Sequence, residues 1–600
     1  MPRRLPWRRE ETRDRAGAEH GRSVSGDIFS EPAATEVLIV PTGSRLGEIL
    51  LAKGAIERDQ LVNAIREQGG TGRRLGSILV TARLLSDEEL ADALIEQAGV
   101  ERVDLSSIEP DEEAAALLSE AVARELNAVP IRVRDDGTRE FVVSHPDSET
   151  RQRLEKMTGG GVHLLADRPD RVRLLLNSVY RVLGSVPQFV ERFEAADAIR
   201  TAAEAVPEGA GGEDVPVIQV VNLLITQALR DRASDIHIEP QSTHVRLRYR
   251  VDGAMHDILE LPASMALALV SRLKIMADLS IVERRRPQDG QIAMMVEGHD
   301  LNIRIAIAPT IFGEKVVLRL LDKSRPLFRY TELGMSDETA AHYIELVHSP
   351  FGMVVCSGPT GSGKTTTLYA TLLALNNPEL NITTIEDPVE YVMPGITQIQ
   401  INPTTDVTFA TGLRSILRQD PDIILVGEIR DTETARIAVR SALTGHLVLS
   451  SIHATDAASS VQRFLDMGIE PFLLASSLAA VVAQRLVRRI CTYCKVPYAP
   501  TAEDLAFYDS AGGAEKTVFM HGGGCTFCSH TGYLERIGVY ELLELTEDIR
   551  AMVVAGVGRD AIRNQAINQH GMRTLRQEGL RLVSEDVTTI SEVVRQIWTM

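Results

Sequence analysis

Two blocks near the start of the chain carry apolar residues at matching positions. Arg45, Leu46 and Gly47 open the first block and Arg74, Leu75 and Gly76 the second; Leu50 or Leu79, Leu61 or Leu90 and Ile65 or Leu94 follow, and Gln68 or Gln97 closes each. Only the spacer GGTGR separates the blocks, so the offset is 29 residues (45 to 74). Such spacing predicts a pair of short helices joined by a turn in each copy. Gly54 stands where the first helix should stop and supplies a left-handed residue there. The second copy has Arg83 instead, at a local cost of about 1 kcal/mol.

Further along, the periodicity changes. Ala128–Val133 and Glu140–Ser144 read as strands around the turn Asp135-Asp136-Gly137, inside a small mixed region over 100–180 whose function is not legible. Residues 183–213 are rich in Ala, Glu and Gly and end in PEGAGGEDVP, which predicts a flexible linker. Residues 214–335 open with an amphipathic helix and then alternate apolar and polar positions in VRLRYRVDG, QIAMMVEG, LNIRIAIAP and EKVVLRLLD, the pattern of an antiparallel sheet domain. GMVVCS then leads as a short apolar strand into a glycine loop and a helix, and NITTIED and DIILVGE repeat the strand pattern, so an α/β core occupies 336–600. The fold class expected is a multidomain α/β protein with a helical N-terminal module spanning 41–182.

Composition narrows the class. Six hundred residues, 44% apolar, are enough for three or four domains. The longest apolar run, around Leu473–Ala483, is broken by serines and soon followed by Arg485, so no membrane span is expected. The arginine-rich opening has no apolar core behind it and reads as a disordered tail over 1–40 rather than a secretory signal. A formal charge of −19 argues against a dedicated nucleic-acid binder. Five cysteines are too few for a disulfide scaffold, and the expected location is the cytoplasm.

The chemistry concentrates in the α/β core. Gly358, Pro359, Thr360, Gly361, Ser362, Gly363, Lys364 and Thr365 fit the phosphate-loop pattern between a strand and a helix. There the backbone amides and helix dipole would hold phosphates, Lys364 would neutralise the β and γ phosphates of ATP, and Thr365 would ligate magnesium. Glu428, just past the strand Ile423–Val426, would poise water or support the magnesium shell, or be an exposed strand-end carboxylate. Glu386 and Asp387 form a second acidic strand end suited to general-base work. His446 and His453, seven residues apart around LVLSSI, would face opposite ways on a strand, which disfavours a shared metal. A histidine bonded to a γ-phosphate would report nucleotide state; two ordinary polar residues is the alternative. Cys491-x-x-Cys494 and Cys525-x-x-Cys528 have the knuckle spacing of a structural zinc site, and Cys356 reads as a core residue.

GPTGSGKTTT, TIEDPVEY, DPDIILVGEIRD and TGHLVLSSIHATDA, with ASDIHIEP, RYRVDG, RRRPQDGQ and GEKVVLRLL upstream and the cysteines downstream, resemble the type II secretion and type IV pilus assembly ATPase family over about 215–545. The resemblance implies a homohexameric motor with a PAS-like sheet domain, a RecA-like domain and a zinc lobe at about 488–540. It also implies an inner-membrane platform protein and a membrane-anchored docking partner, which would place the motor at the inner membrane. It makes Glu386 the general base, Glu428 the Walker B carboxylate, His446 and His453 the histidine box, and Arg286 and Arg304 the arginines that reach phosphate on closure. Thr366, Arg414, Arg418 and Arg430 match further residues near the nucleotide. The tandem blocks resemble an N-terminal domain that binds cyclic di-GMP in some members, through Arg45, Leu46, Gly47, Gln68, Arg74, Leu75, Gly76 and Gln97. A pseudo-twofold dinucleotide suits two copies of one motif; helix packing or docking alone is the alternative. Two rival functions remain: a nucleotide-binding scaffold without turnover, and a conjugation-type traffic ATPase.

Overall fold

The computed structural model describes residues 46–71, 73, 75–82, 84–103, 111–202, 216–322 and 330–598. The expected tail over 1–40, together with Arg45, Arg74 and Arg83, lies outside the described residues. The chain divides into two units, residues 1–99 and 100–600.

In the first unit each sequence block is a helix pair: α1 (Leu46–Ala52) with α2 (Arg58–Thr71), and α3 (Leu75–Thr81) with α4 (Asp87–Ala98). Gly54 follows α1 at φ +66°, the conformation expected of it. Gly47 and Gly76 serve a different need, close helix approach. A Cβ on Gly47 would lie 2.9 Å from Leu61 Cδ1, and one on Gly76 2.6 Å from Leu90 Cδ1, below any ordinary contact. Ile49, Leu50 and Leu61 share one core with Ile78, Leu79 and Ala93, so the two copies bury their apolar faces together.

The second unit opens with a four-stranded sheet in the order β1 (Glu101–Arg102), β4 (Val162–Ala166), β3 (Arg139–Val143), β2 (Ala128–Val133). Both expected strands are present within a residue, and Gly137 in their turn has φ +79°. The helix α5 (Pro169–Val179) contributes Val172, Leu175 and Leu176 to the core under this sheet.

The linker expected over 183–213 is corrected in part. Val186–Ala202 is a helix, α6, and Val186 and Phe193 are buried against Val217 and Val220 of α7 (Pro216–Arg230). The composition misled because Ala and Glu are also good helix formers, and the apolar residues Val186, Phe189, Val190 and Phe193 find partners only in the folded chain. Its glycine-rich remainder, 203–215, lies outside the described residues.

Strands β5 (Asp235–Pro240), β6 (His244–Val251), β7 (Ala254–Pro262), β8 (Gln288–Val296), β9 (His299–Thr310) and β10 (Gly313–Asp322) form an antiparallel sheet ordered β7-β6-β5-β10-β9-β8. Alternate residues of β6, Val245, Leu247 and Tyr249, are buried with Leu224 of α7. The other face carries Arg246, Arg248 and Arg250.

The α/β core is a seven-stranded sheet, β13-β12-β14-β15-β11-β16-β19, parallel except for β19. The ranges are β11 Gly352–Ser357, β12 Ile382–Glu386, β13 Thr397–Gln400, β14 Ile423–Val426, β15 Leu447–Ile452, β16 Leu478–Ile490 and β19 Tyr533–Glu544. A short ribbon, β17 (Lys495–Tyr498) with β18 (Phe519–Gly522), projects between the last two. Strands β11, β14 and β15 are buried throughout, because cores cover both sheet faces. Val355 belongs to one core; Val354 and Cys356 belong to the other, which confirms Cys356 as a packing residue.

Candidate active site and tetracysteine lobe

The phosphate loop runs from the end of β11 into α8 (Lys364–Leu375). Gly358, Gly361 and Gly363 all have positive φ, at 152°, 76° and 87°. Two of them are also packed tightly: a Cβ on Gly358 would meet Ser362 Oγ at 2.5 Å, and one on Gly363 would meet Gln484 Nε2 at 2.8 Å. The loop therefore closes tightly on itself above β16. Lys364 donates from Nζ to the carbonyls of Gly358 (2.8 Å) and Pro359 (3.1 Å), holding its ammonium over the loop. Burial lowers the pKa of Lys364 from its ordinary value, against the support of Glu428. Ser362 Oγ is buried in the loop without a hydrogen-bond partner. This cradle of glycine backbone, an orphaned hydroxyl, a lysine and a helix N-terminus fits a nucleotide phosphate chain.

Two carboxylates end neighbouring strands beside the loop. Glu428 lies 2.7 Å from Arg430 Nη2 and 2.8 Å from His453 Nε2. Burial pushes its pKa up, but Arg430, then His453 and Lys364, outweigh burial and hold it below the usual carboxylate value. Glu428 is therefore an anion at neutral pH, and the stability its pairing contributes is lost only as pH falls through that lowered pKa. Glu386 is 4% exposed; Thr384 Oγ1 donates to it at 2.6 Å and Gln398 Nε2 at 3.2 Å, and Tyr369 donates its phenolic proton to the other oxygen. Burial first, and Glu386 second, push the Tyr369 pKa far up, so the phenol stays a donor.

Other expected site residues are distributed differently. His453 follows the C-terminal end of β15, one residue past the Ser357–Ile452 pair, whereas His446 precedes its N-terminal end, one residue before the Gly352–Leu447 pair. Seven steps along the strand set the two histidines about 23 Å apart. Of the two histidines, His453 is the one paired with Glu428. His446 Nδ1 instead lies 3.0 Å from Ser441 O. Arg304 on β9 donates to Glu390 at 2.9 Å, linking the antiparallel sheet to the acidic segment after β12. Arg286 sits on an exposed loop before β8. Arg414 pairs with Glu433 and Arg418 donates to Arg414 O, both on the exposed surface, while Thr365 and Thr366 occupy the first turn of α8.

Sequence reasoning missed Gln484 and Arg485, side by side on β16. Gln484 Oε1 accepts from Thr367 of α8 at 2.9 Å, and its amide nitrogen backs Gly363. Arg485, 5% exposed, donates to Thr455 O at 2.5 Å and so fixes the loop that carries His453. The available signal was a polar pair interrupting the apolar run from Leu478 to Val487.

The four knuckle cysteines meet in a separate lobe, with sulfur–sulfur separations of 3.8, 3.9 and 3.7 Å for the pairs Cys491–Cys525, Cys494–Cys528 and Cys525–Cys528. A tetrahedron of thiolates on zinc has an edge of about 3.8 Å, from Zn–S bonds of about 2.3 Å. Gly524 N and Gly532 N also donate to Cys494 and Cys528 sulfurs, as thiolate ligands require. The donor set fits zinc.

A glycine cradle at the C-terminal edge of a parallel sheet, with an ionised carboxylate on a neighbouring strand end, defines a P-loop ATPase. Two family profiles match: Type II/IV secretion system protein over residues 211–595, and the MshEN domain over residues 98–186. The chain belongs to the type II/IV secretion system protein family and carries an MshEN domain. It is 47% identical over 452 residues to the type II secretion system protein HxcR of Pseudomonas aeruginosa, covering 75% of this chain and 91% of that relative. It is 39% identical over 559 residues to the type IV pilus assembly ATPase PilB of Myxococcus xanthus, covering 92% and 93%. With the type II secretion system ATPase E of Vibrio cholerae it shares 44% identity over 386 residues, 64% of this chain and 76% of that one. The MshEN match falls on the region whose function was not legible in the sequence, directly after the tandem helix pairs. No helix among the described residues is long and apolar enough to cross a membrane.

Proposed function

We propose that this chain is a homohexameric motor that hydrolyses ATP with magnesium and applies the resulting movement to assembly of a type II secretion pseudopilus or a type IV pilus. The observation that carries this reading is the Lys364 cradle beside Glu428, Arg430 and His453. In it Lys364 neutralises the β and γ phosphates, Thr365 ligates magnesium, Glu428 is the Walker B carboxylate and Glu386 the general base. Arg286 and Arg304 supply positive charge from the antiparallel, PAS-like domain as it closes, and Arg304 already crosses to the acidic segment through Glu390. The four cysteines hold a structural zinc. The motor works at the cytoplasmic face of the inner membrane, on a platform protein and a membrane-anchored docking partner. The relatives named for secretion and for pilus assembly support this class of work in both systems.

Cyclic di-GMP binds the tandem helix pairs and modulates turnover in this reading. Support comes from the twofold arrangement itself: Gly47 and Gly76 hold equivalent places under Leu61 and Leu90, so Leu46 and Leu75 begin equivalent helices. Gln68 and Gln97 are both half-buried near the ends of α2 and α4. Arginine pairs with guanine edges or phosphate, and leucine offers an apolar bed for the bases. Titration calorimetry of the purified chain should detect cyclic di-GMP binding that Arg45→Ala with Arg74→Ala abolishes. Unchanged affinity in the double variant would place the ligand elsewhere.

A further inference from the structure

Each cysteine knuckle carries an aromatic residue before its second cysteine, Tyr493 in Cys-Thr-Tyr-Cys and Phe527 in Cys-Thr-Phe-Cys. The two rings stack with centroids 4.6 Å apart. They do not turn into the lobe. Phe527 is 8% exposed, and every other buried member of its hydrophobic cluster comes from residues 118–176 of the MshEN domain, among them Val172, Leu175 and Leu176 of α5. Tyr493 and Cys525 pack on the same cluster, and the Arg171 guanidinium of α5 lies 5.3 Å from the centroid of the Tyr493 ring.

A second contact fixes the other side of the same domain. Arg230, at the end of α7, has a guanidinium side chain only 5% exposed. It meets Glu120 of the MshEN domain at 2.5 Å, pairs with Glu297 at the β8–β9 turn, and donates to Tyr180 O at 2.9 Å. The domain thus touches the antiparallel sheet domain through Glu120 and the P-loop domain through the knuckles. These are the two parts whose relative movement the proposed cycle uses.

We propose that the paired knuckle aromatics form a docking surface for the MshEN domain of this chain, so that this domain braces the P-loop domain against the antiparallel sheet domain. The chemistry suits a reversible joint: two aromatic rings on a backbone stiffened by four cysteines meet a small apolar patch and one arginine, rather than an extended dry interface. A lobe built only to hold its own fold would bury these rings against its own residues.

Hydrogen exchange of the full chain, measured without nucleotide, tests the docking independently of ATP turnover. Tyr493→Ser with Phe527→Ser should speed amide exchange in α5 by about tenfold, as expected when a contact that suppresses local opening is removed. Arg171→Glu, which lies outside the lobe, should speed exchange across 491–494 and 525–528. Zinc content should stay at one ion per chain in both variants. If the lobe variant loses zinc, Arg171→Glu decides alone. Unchanged exchange on both sides of the contact, with zinc retained, would overturn the proposal.

Discussion

Lys364→Ala should abolish ATP hydrolysis while leaving the fold intact. The Lys364 ammonium is held over the loop by two of the loop's own carbonyls, Gly358 O and Pro359 O, so its position comes from backbone geometry and not from a mobile partner. Its burial lowers its pKa, which means that the charge has lost part of its water and interacts more strongly with phosphate than an exposed lysine would. Alanine removes that charge at the helix N-terminus without harming the helix, since alanine is the best helix former. A loss of about 10³-fold or more in phosphate release is expected, in line with other losses of a transition-state charge. Unchanged circular dichroism and zinc content would show that the fold survives. Full activity in this variant would contradict the assignment of the loop.

Glu428→Gln should separate binding from turnover. Its carboxylate is the anion that Arg430, His453 and Lys364 share, and it is ionised at neutral pH because those cations overcome its burial. Glutamine keeps the shape, removes the charge and leaves three cationic or protonatable groups facing a neutral amide. ATP should still bind, because the glycine cradle and Lys364 are untouched. Turnover should fall by about 10²-fold or more, because a neutral amide can neither support the magnesium shell nor orient water as a carboxylate does. Fluorescent-nucleotide binding measured beside phosphate release distinguishes this from loss of affinity. Equal turnover in the variant and the parent chain would remove Glu428 from the mechanism.

The parts of the site that the sequence revealed are those built by local chain geometry. A phosphate loop needs one strand, one turn with positive φ and one helix start, and all three lie within a few consecutive residues, so Gly358 to Thr365 were legible. Glu428 was legible because it directly follows a short apolar strand. His446 stands at the other end of β15 from His453, because the six extended residues between them turn nearness in sequence into distance in space. The helix Val186–Ala202 was obscured by a composition that linkers and helices share. Gln484 and Arg485 stood out in the sequence only as a polar pair, and their roles were not legible because their partners Thr367 and Thr455 are 117 and 30 residues away, a contact no local spacing encodes. The docking of Phe527 among residues 118–176 is longer-range still.

This chain should turn ATP over at the Lys364 loop with magnesium. Phosphate release by the purified full-length chain, assembled as hexamers and assayed with and without magnesium and a membrane platform partner, tests it most directly. Turnover should require magnesium and stop on its chelation. ATP bound without phosphate release, even in hexamers with the platform partner present, would contradict turnover at this loop and leave a nucleotide-binding scaffold in its place.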